Sequence, residues 1–224
     1  MCSKVSKKFV ISILLNSLIV MFGIVGAILS FRTYGWRVFE FYTENSNYLG
    51  LVVSLIYCVA AVVALYNNKK VARVIYVLRF ISTLCLTITL VVVVTLLAPL
   101  MPNKFNELML RDVGLYYHLI CPLLSLISFL FFEREVKLYK KDFYLALIPT
   151  IVYGVIVILL NLFKVITGPY PFLYLYEFKW YQTTLCLLAI LLCAILLDFA
   201  LFYLKNKKCY SVKRQFNREK FEDV

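Results

Sequence analysis

Apolar stretches separated by short polar segments recur six times along the chain. Windows free of charged residues cover 9–31, 45–68, 80–103, 113–132, 143–163 and 180–197. A helix crossing the hydrocarbon core of a bilayer takes roughly 20 apolar residues, so each window is sufficient for one crossing. The predicted spans are about 9–31, 45–67, 78–100, 113–132, 143–163 and 181–204. The expected fold class is therefore all-α: a polytopic membrane protein with six transmembrane helices in one bundle over residues 1–204, followed by a basic tail over 205–224. The first window, 23 residues long, exceeds the h-region of about 7 to 15 residues found in secretory signals, and reads as a retained helix. Within the spans, Gly23 and Gly26 offer a small-residue surface for close helix approach. Pro122 lacks a backbone donor and is expected to disturb span four.

Composition strengthens this picture. Of 224 residues, 63% are hydrophobic and 16% charged, well above the apolar share of about 45 to 50% in soluble domains. The remaining loops are too short to bury an independent core. A soluble catalytic domain is excluded, and any chemistry belongs inside the bundle or at its edge.

The net charge of +12 gains meaning from its placement. Seventeen of the 24 basic residues lie in the N-terminus, the loops after spans two and four, and the tail. The alternate loops carry only Arg32, Arg37, Lys104, Arg111, Lys164 and Lys179, and Arg79 sits inside span three. By the positive-inside rule both termini are cytoplasmic. The tail then faces anionic headgroups rather than nucleic acid, each basic residue near the surface gaining about 1 kcal/mol. Membrane lipids are the expected partners. The seven cysteines contain no CxxC pair and five fall within spans, so neither a disulfide framework nor a metal site is indicated, and no cofactor is called for.

The starts of spans two, four and six share a polar, aromatic character: FYTENSN, YYH and WYQTT. With both ends of the chain on one side, these three starts meet the opposite face of the membrane at one depth. His118, the only histidine, lies about five residues into span four, hence about 7 to 8 Å below the boundary at 1.5 Å per residue. It is the one side chain whose ordinary titration range suits a base near neutral pH, although an interfacial histidine satisfied by water or a carbonyl is also common. Thr43 stands at the start of span two beside Glu44, Asn45, Ser46 and Asn47. Two roles are open to it. It can cap the helix through its hydroxyl, or attack an acyl carbon with a base removing its proton and nearby donors stabilising the oxyanion. Asn45, Ser46 and Asn47 are candidate oxyanion or substrate-binding groups. Glu40, Glu44, Asp112 and Glu177 are external acids available to orient His118, with none singled out.

The segments FYTENSNYL (41–49) and YYHLICP (116–122) resemble motifs of the androgen-induced and androgen-dependent six-transmembrane hydrolases and of bacterial six-transmembrane proteins similar to them. The resemblance in topology extends over nearly the whole chain. It implies an integral-membrane hydrolase of lipid-like esters in a bacterial cytoplasmic membrane, with Thr43 as nucleophile and His118 as base. The alternative is a non-catalytic membrane protein that binds a lipid or partner in the same cavity. A small transporter is a third possibility, disfavoured by the apolar middle of every span. Arg79 and Asp198, at comparable depth on spans three and six, are expected to form a structural ion pair.

Overall fold

A computed structural model describes residues 6–133, 136–176 and 179–222, with side chains described as far as Lys207. Every element among them is helical. Six helices are long and apolar enough to cross a membrane, which marks the chain as an integral membrane protein. They are α1 (Lys7–Tyr34), α2 (Tyr42–Tyr66), α3 (Arg73–Leu100), α4 (Asp112–Phe132), α5 (Lys140–Leu162) and α6 (Trp180–Glu222). The expected spans hold to within a few residues at most ends. Two departures matter. The chain after α1 forms a 3-10 turn, Gly35–Glu40, so that α2 begins at Tyr42 rather than residue 45. The helical backbone of α6 also continues through the basic tail to Glu222.

Helix α3 is the axle of the bundle. It packs on α2, α4, α5 and α6, while α1 lies against α2 and α4. In its apolar window 61% of residues are buried, against 17% in α5 and in α6. Its sequence makes that position tolerable. The hydroxyls of Ser82, Thr87 and Thr89 each donate to a carbonyl one turn back, at 3.2, 2.7 and 3.1 Å, so small polar residues enter the core without orphaned donors. Phe80, Leu84 and Ile88 pack there against Phe129 of α4 and Ala194 of α6.

The close approach expected at Gly23 and Gly26 takes a specific form. The Tyr117 ring of α4 lies on Gly26, where a Cβ would sit 2.2 Å from it. The Tyr117 hydroxyl donates to the Gly23 carbonyl at 3.1 Å. Ahead of Pro122, where a kink is expected from the sequence, α4 makes a π-helical turn over Leu115–Ile120 with His118 inside it. A proline leaves the carbonyl four residues back, that of His118, without its helical donor, and a widened turn accommodates this.

Near the ends of α1 and α4 opposite Thr43, one polar cluster is fully enclosed. The Arg79 guanidinium is buried and pairs with Glu133 at 3.2 Å, with further bonds to Ser54 at 3.1 Å and Ser125 at 3.2 Å. Glu133 also accepts from Asn16 at 3.1 Å and Ser128 at 2.8 Å. The Lys205 ammonium donates to the carbonyls of Phe129, at 3.0 Å, and Glu133. This corrects the expected Arg79–Asp198 pair. Glu133 follows the last turn of α4 and is drawn back into the bundle, whereas both Asp198 carboxylate oxygens are buried with no hydrogen-bond partner among the described residues. At the same end, Arg73 pairs with Asp142, which also accepts the Tyr139 amide at 2.7 Å and so caps α5.

Candidate active site

At the end where α2, α4 and α6 begin, two cavities meet. The larger, about 520 Å³, is lined by Thr43, Glu44, His118 and Tyr170, with Arg32 and Lys104 among its charged walls. The smaller, about 90 Å³, lies among α3, α5 and α6 and is almost wholly apolar. Thr43, Leu97 and Tyr170 belong to both. The two residues that the sequence singled out, Thr43 and His118, therefore face one chamber from different helices.

Thr43 does not cap α2. The cap position is Phe41, whose own side chain makes no capping bond, and Thr43 is the second residue of the helix. Its amide is one of the donors that a helix start leaves without an intrahelical acceptor, and it donates to the Tyr170 hydroxyl at 3.3 Å. The side chain, 7% exposed, lines both cavities beside the Tyr170 hydroxyl, with which it also interacts. Local sequence accounts for the placement. The Asn45 side-chain amide donates to the carbonyls of Phe39 and Phe41, both at 2.9 Å, locking the turn that leads into α2.

His118 is held by a backbone group. Its Nδ1 is 2.6 Å from the Leu108 carbonyl oxygen, which can only accept, so Nδ1 carries the proton and the Nε2 lone pair is free. Leu108 belongs to the short helix Phe105–Met109, whose last carbonyls lack intrahelical donors; His118 supplies one. Gly114 makes the approach possible. A Cβ there would lie 2.4 Å from the Glu107 oxygen and 2.5 Å from the Leu108 oxygen. The carbonyl thereby fixes the tautomer and the orientation of the imidazole. Of the acids considered for that task, Glu40 pairs with Arg37 at 3.1 Å, and Glu44 and Asp112 line the chamber. Glu177 lies outside the described residues.

The expected oxyanion donors are placed differently. Both protons of the Asn45 amide are engaged in the turn, and those of Asn47 go to the carbonyls of Thr43 at 2.8 Å and Tyr117 at 3.0 Å, tying α2 to α4. Ser46 is buried outside both cavity linings. The donor in position is Tyr170, which the sequence reading passed over. It comes from the loop between α5 and α6, turned by Gly168 at φ +95° and held by the Asn161 amide on the Leu173 carbonyl at 2.8 Å. Its ring stacks on Phe172 at 5.2 Å. Burial pushes the Tyr170 phenol up to about 12, with hydrogen bonds from Thr43 opposing, so it stays protonated at neutral pH with a proton to donate. Nothing in the sequence distinguishes this tyrosine from the other 16.

Among the described residues no three His, Cys, Asp or Glu side chains come together as a metal site. Compared with protein-family models, curated proteins and solved structures, the chain matches none.

Proposed function

We propose that the chain is a membrane-embedded hydrolase of lipid-like esters, with Thr43 as nucleophile and His118 as base. The observation that carries this reading is the shared chamber, lined both by Thr43 and by a histidine whose Nδ1 is held by the Leu108 carbonyl, which leaves Nε2 as the unprotonated nitrogen. The Thr43 hydroxyl oxygen attacks the ester carbonyl carbon as its proton passes to His118. The resulting oxyanion is stabilised by the Tyr170 phenol and the positive end of α2. Collapse breaks the bond to the alcohol, which leaves with the proton from His118. Water, deprotonated by the same imidazole, then attacks the acyl-threonine, releasing the acid and restoring the threonine hydroxyl. The sum is ester plus water giving acid plus alcohol.

The resemblance of residues 41–49 and 116–122 to the androgen-induced and androgen-dependent hydrolases supports the same assignment, and membership of that family is part of the proposal. So are the location in a bacterial cytoplasmic membrane and the orientation with both termini inside, the latter supported by the distribution of basic residues. A fluorophosphonate probe directed at serine and threonine hydrolases tests the chemistry in the detergent-solubilised full chain. Covalent labelling that disappears in Thr43→Ala and falls at least a hundredfold in rate in His118→Ala is expected. Labelling indifferent to both substitutions in folded protein leaves lipid binding without catalysis as the function of the chamber.

A further inference from the structure

The smaller cavity has a property the chemistry above does not use. It leads from Thr43 between α3, α5 and α6, where Ile88, Val92, Val157, Leu187 and Ile190 form its walls. Its other hydroxyls are already occupied. Thr89 donates to the Cys85 carbonyl at 3.1 Å, Thr150 shares a hydrogen bond with Tyr42 at 2.8 Å, and Tyr153 donates to the Glu40 carbonyl at 2.7 Å. Such a slot has nothing to offer a polar ligand and welcomes hydrocarbon. The larger chamber on the other side of Thr43 carries Arg32, Lys104, Glu107 and Asp112, and suits a polar group.

We infer that the slot is the acyl-chain subsite of the ester, that the alcohol half occupies the polar chamber, and that Gly154 keeps room in the slot for the chain. The inference rests on Thr43 being the nucleophile, because the carbonyl carbon must stand at the residue the two cavities share. Scaling from an apolar cavity of about 150 Å³ that binds benzene, a slot of about 90 Å³ holds about four carbons, and it is partly open, so a longer chain continues beyond it. The preferred substrate class is therefore an ester with an apolar acyl group, whose first carbons beyond the carbonyl fill the slot, and a polar alcohol. Gly154 lines the slot, and a Cβ placed on it meets no atom within 4 Å. A larger side chain there grows into the empty volume without displacing the helices.

The test is acyl-length selectivity, measured with umbelliferyl acetate, butyrate and octanoate on the full chain in detergent micelles. The wild type is expected to favour butyrate over acetate. In Gly154→Leu the ratio of kcat/KM for butyrate over acetate falls about fifteen-fold, the value of withdrawing burial from two methylenes. Ile190→Ala acts in the opposite direction, raising octanoate over butyrate, a gain that damage to the fold does not produce. Hydrolysis that depends on Thr43 but keeps one acyl profile in both variants overturns the subsite and leaves the catalytic reading standing. Hydrolysis that survives Thr43→Ala, or no hydrolysis of any of the three esters, overturns both.

Discussion

The two ends of the bundle treat polar groups in opposite ways. Around Arg79, a buried cation and a buried carboxylate are surrounded by Asn16, Ser54, Ser125 and Ser128: Ser54 and Ser125 accept from the guanidinium, Asn16 and Ser128 donate to the carboxylate, and polar side chains of four helices, α3 with Arg79 included, converge on one ion pair. Around Thr43, the side chains of Thr43, Glu44 and His118 instead line a cavity, and one Glu44 oxygen is buried with no hydrogen-bond partner among the described residues. Depth in the bundle does not separate a structural polar residue from a reactive one; saturation of its hydrogen bonds does. A charge enclosed by matched partners cannot respond to a ligand without breaking the lattice that holds it. A histidine with one nitrogen fixed and the other free can.

The sharpest way to break this contrast is to leave half of the saturated cluster in place. Glu133→Ala strands the Arg79 guanidinium and is expected to destabilise the fold by about 3 to 5 kcal/mol, whereas the double change Glu133→Ala with Arg79→Met recovers most of that loss. Thermal unfolding of the purified chain reads both. Equal destabilisation in the single and double variants would mean the pair is not the organising element. At the other end, Gly114→Ala forces the Leu108 carbonyl away from His118. A misplacement of about 1 Å at a catalytic base costs about a hundredfold in kcat. Esterase kinetics and unfolding temperature measured on one sample should show both the rate and the stability falling, because the added Cβ clashes with backbone; unchanged kcat in folded Gly114→Ala removes the carbonyl from the mechanism. The smallest effect is expected at Asp198, whose carboxylate has no partner among the described residues. Asp198→Leu should stabilise by about 1 kcal/mol, since removing an unsatisfied buried polar group relieves its desolvation cost. A loss of stability there would reveal a partner that the contrast overlooks.

Much of the candidate site was legible before folding. His118 stood out because ionisable residues inside apolar windows are rare, Thr43 because it stands among polar residues where a helix was expected to begin, and alternation of the spans put both at one expected membrane face. The disturbance at Pro122 followed from its missing amide. The remaining assignments failed for reasons that share a cause. Asn45 and Asn47 looked like oxyanion donors, but their protons go to carbonyls of Phe39, Phe41, Thr43 and Tyr117. Arg79 found Glu133 rather than Asp198, since equal depth on two helices says nothing about which faces turn toward each other. Tyr170 and the Leu108 carbonyl carried no mark at all, one being a tyrosine among many and the other a backbone group that every residue possesses.

Sequence alone determined the six crossings, because burying hydrocarbon in a bilayer depends on the length and polarity of each segment and hardly on its neighbours. It also determined which residues had chemistry to offer. Only the tertiary structure decided which of those groups were neutralised by partners and which were left facing a cavity. Hydrogen bonds and ion pairs act over a few ångströms between atoms far apart in the chain, and rotation of one helix by a single residue redirects them all.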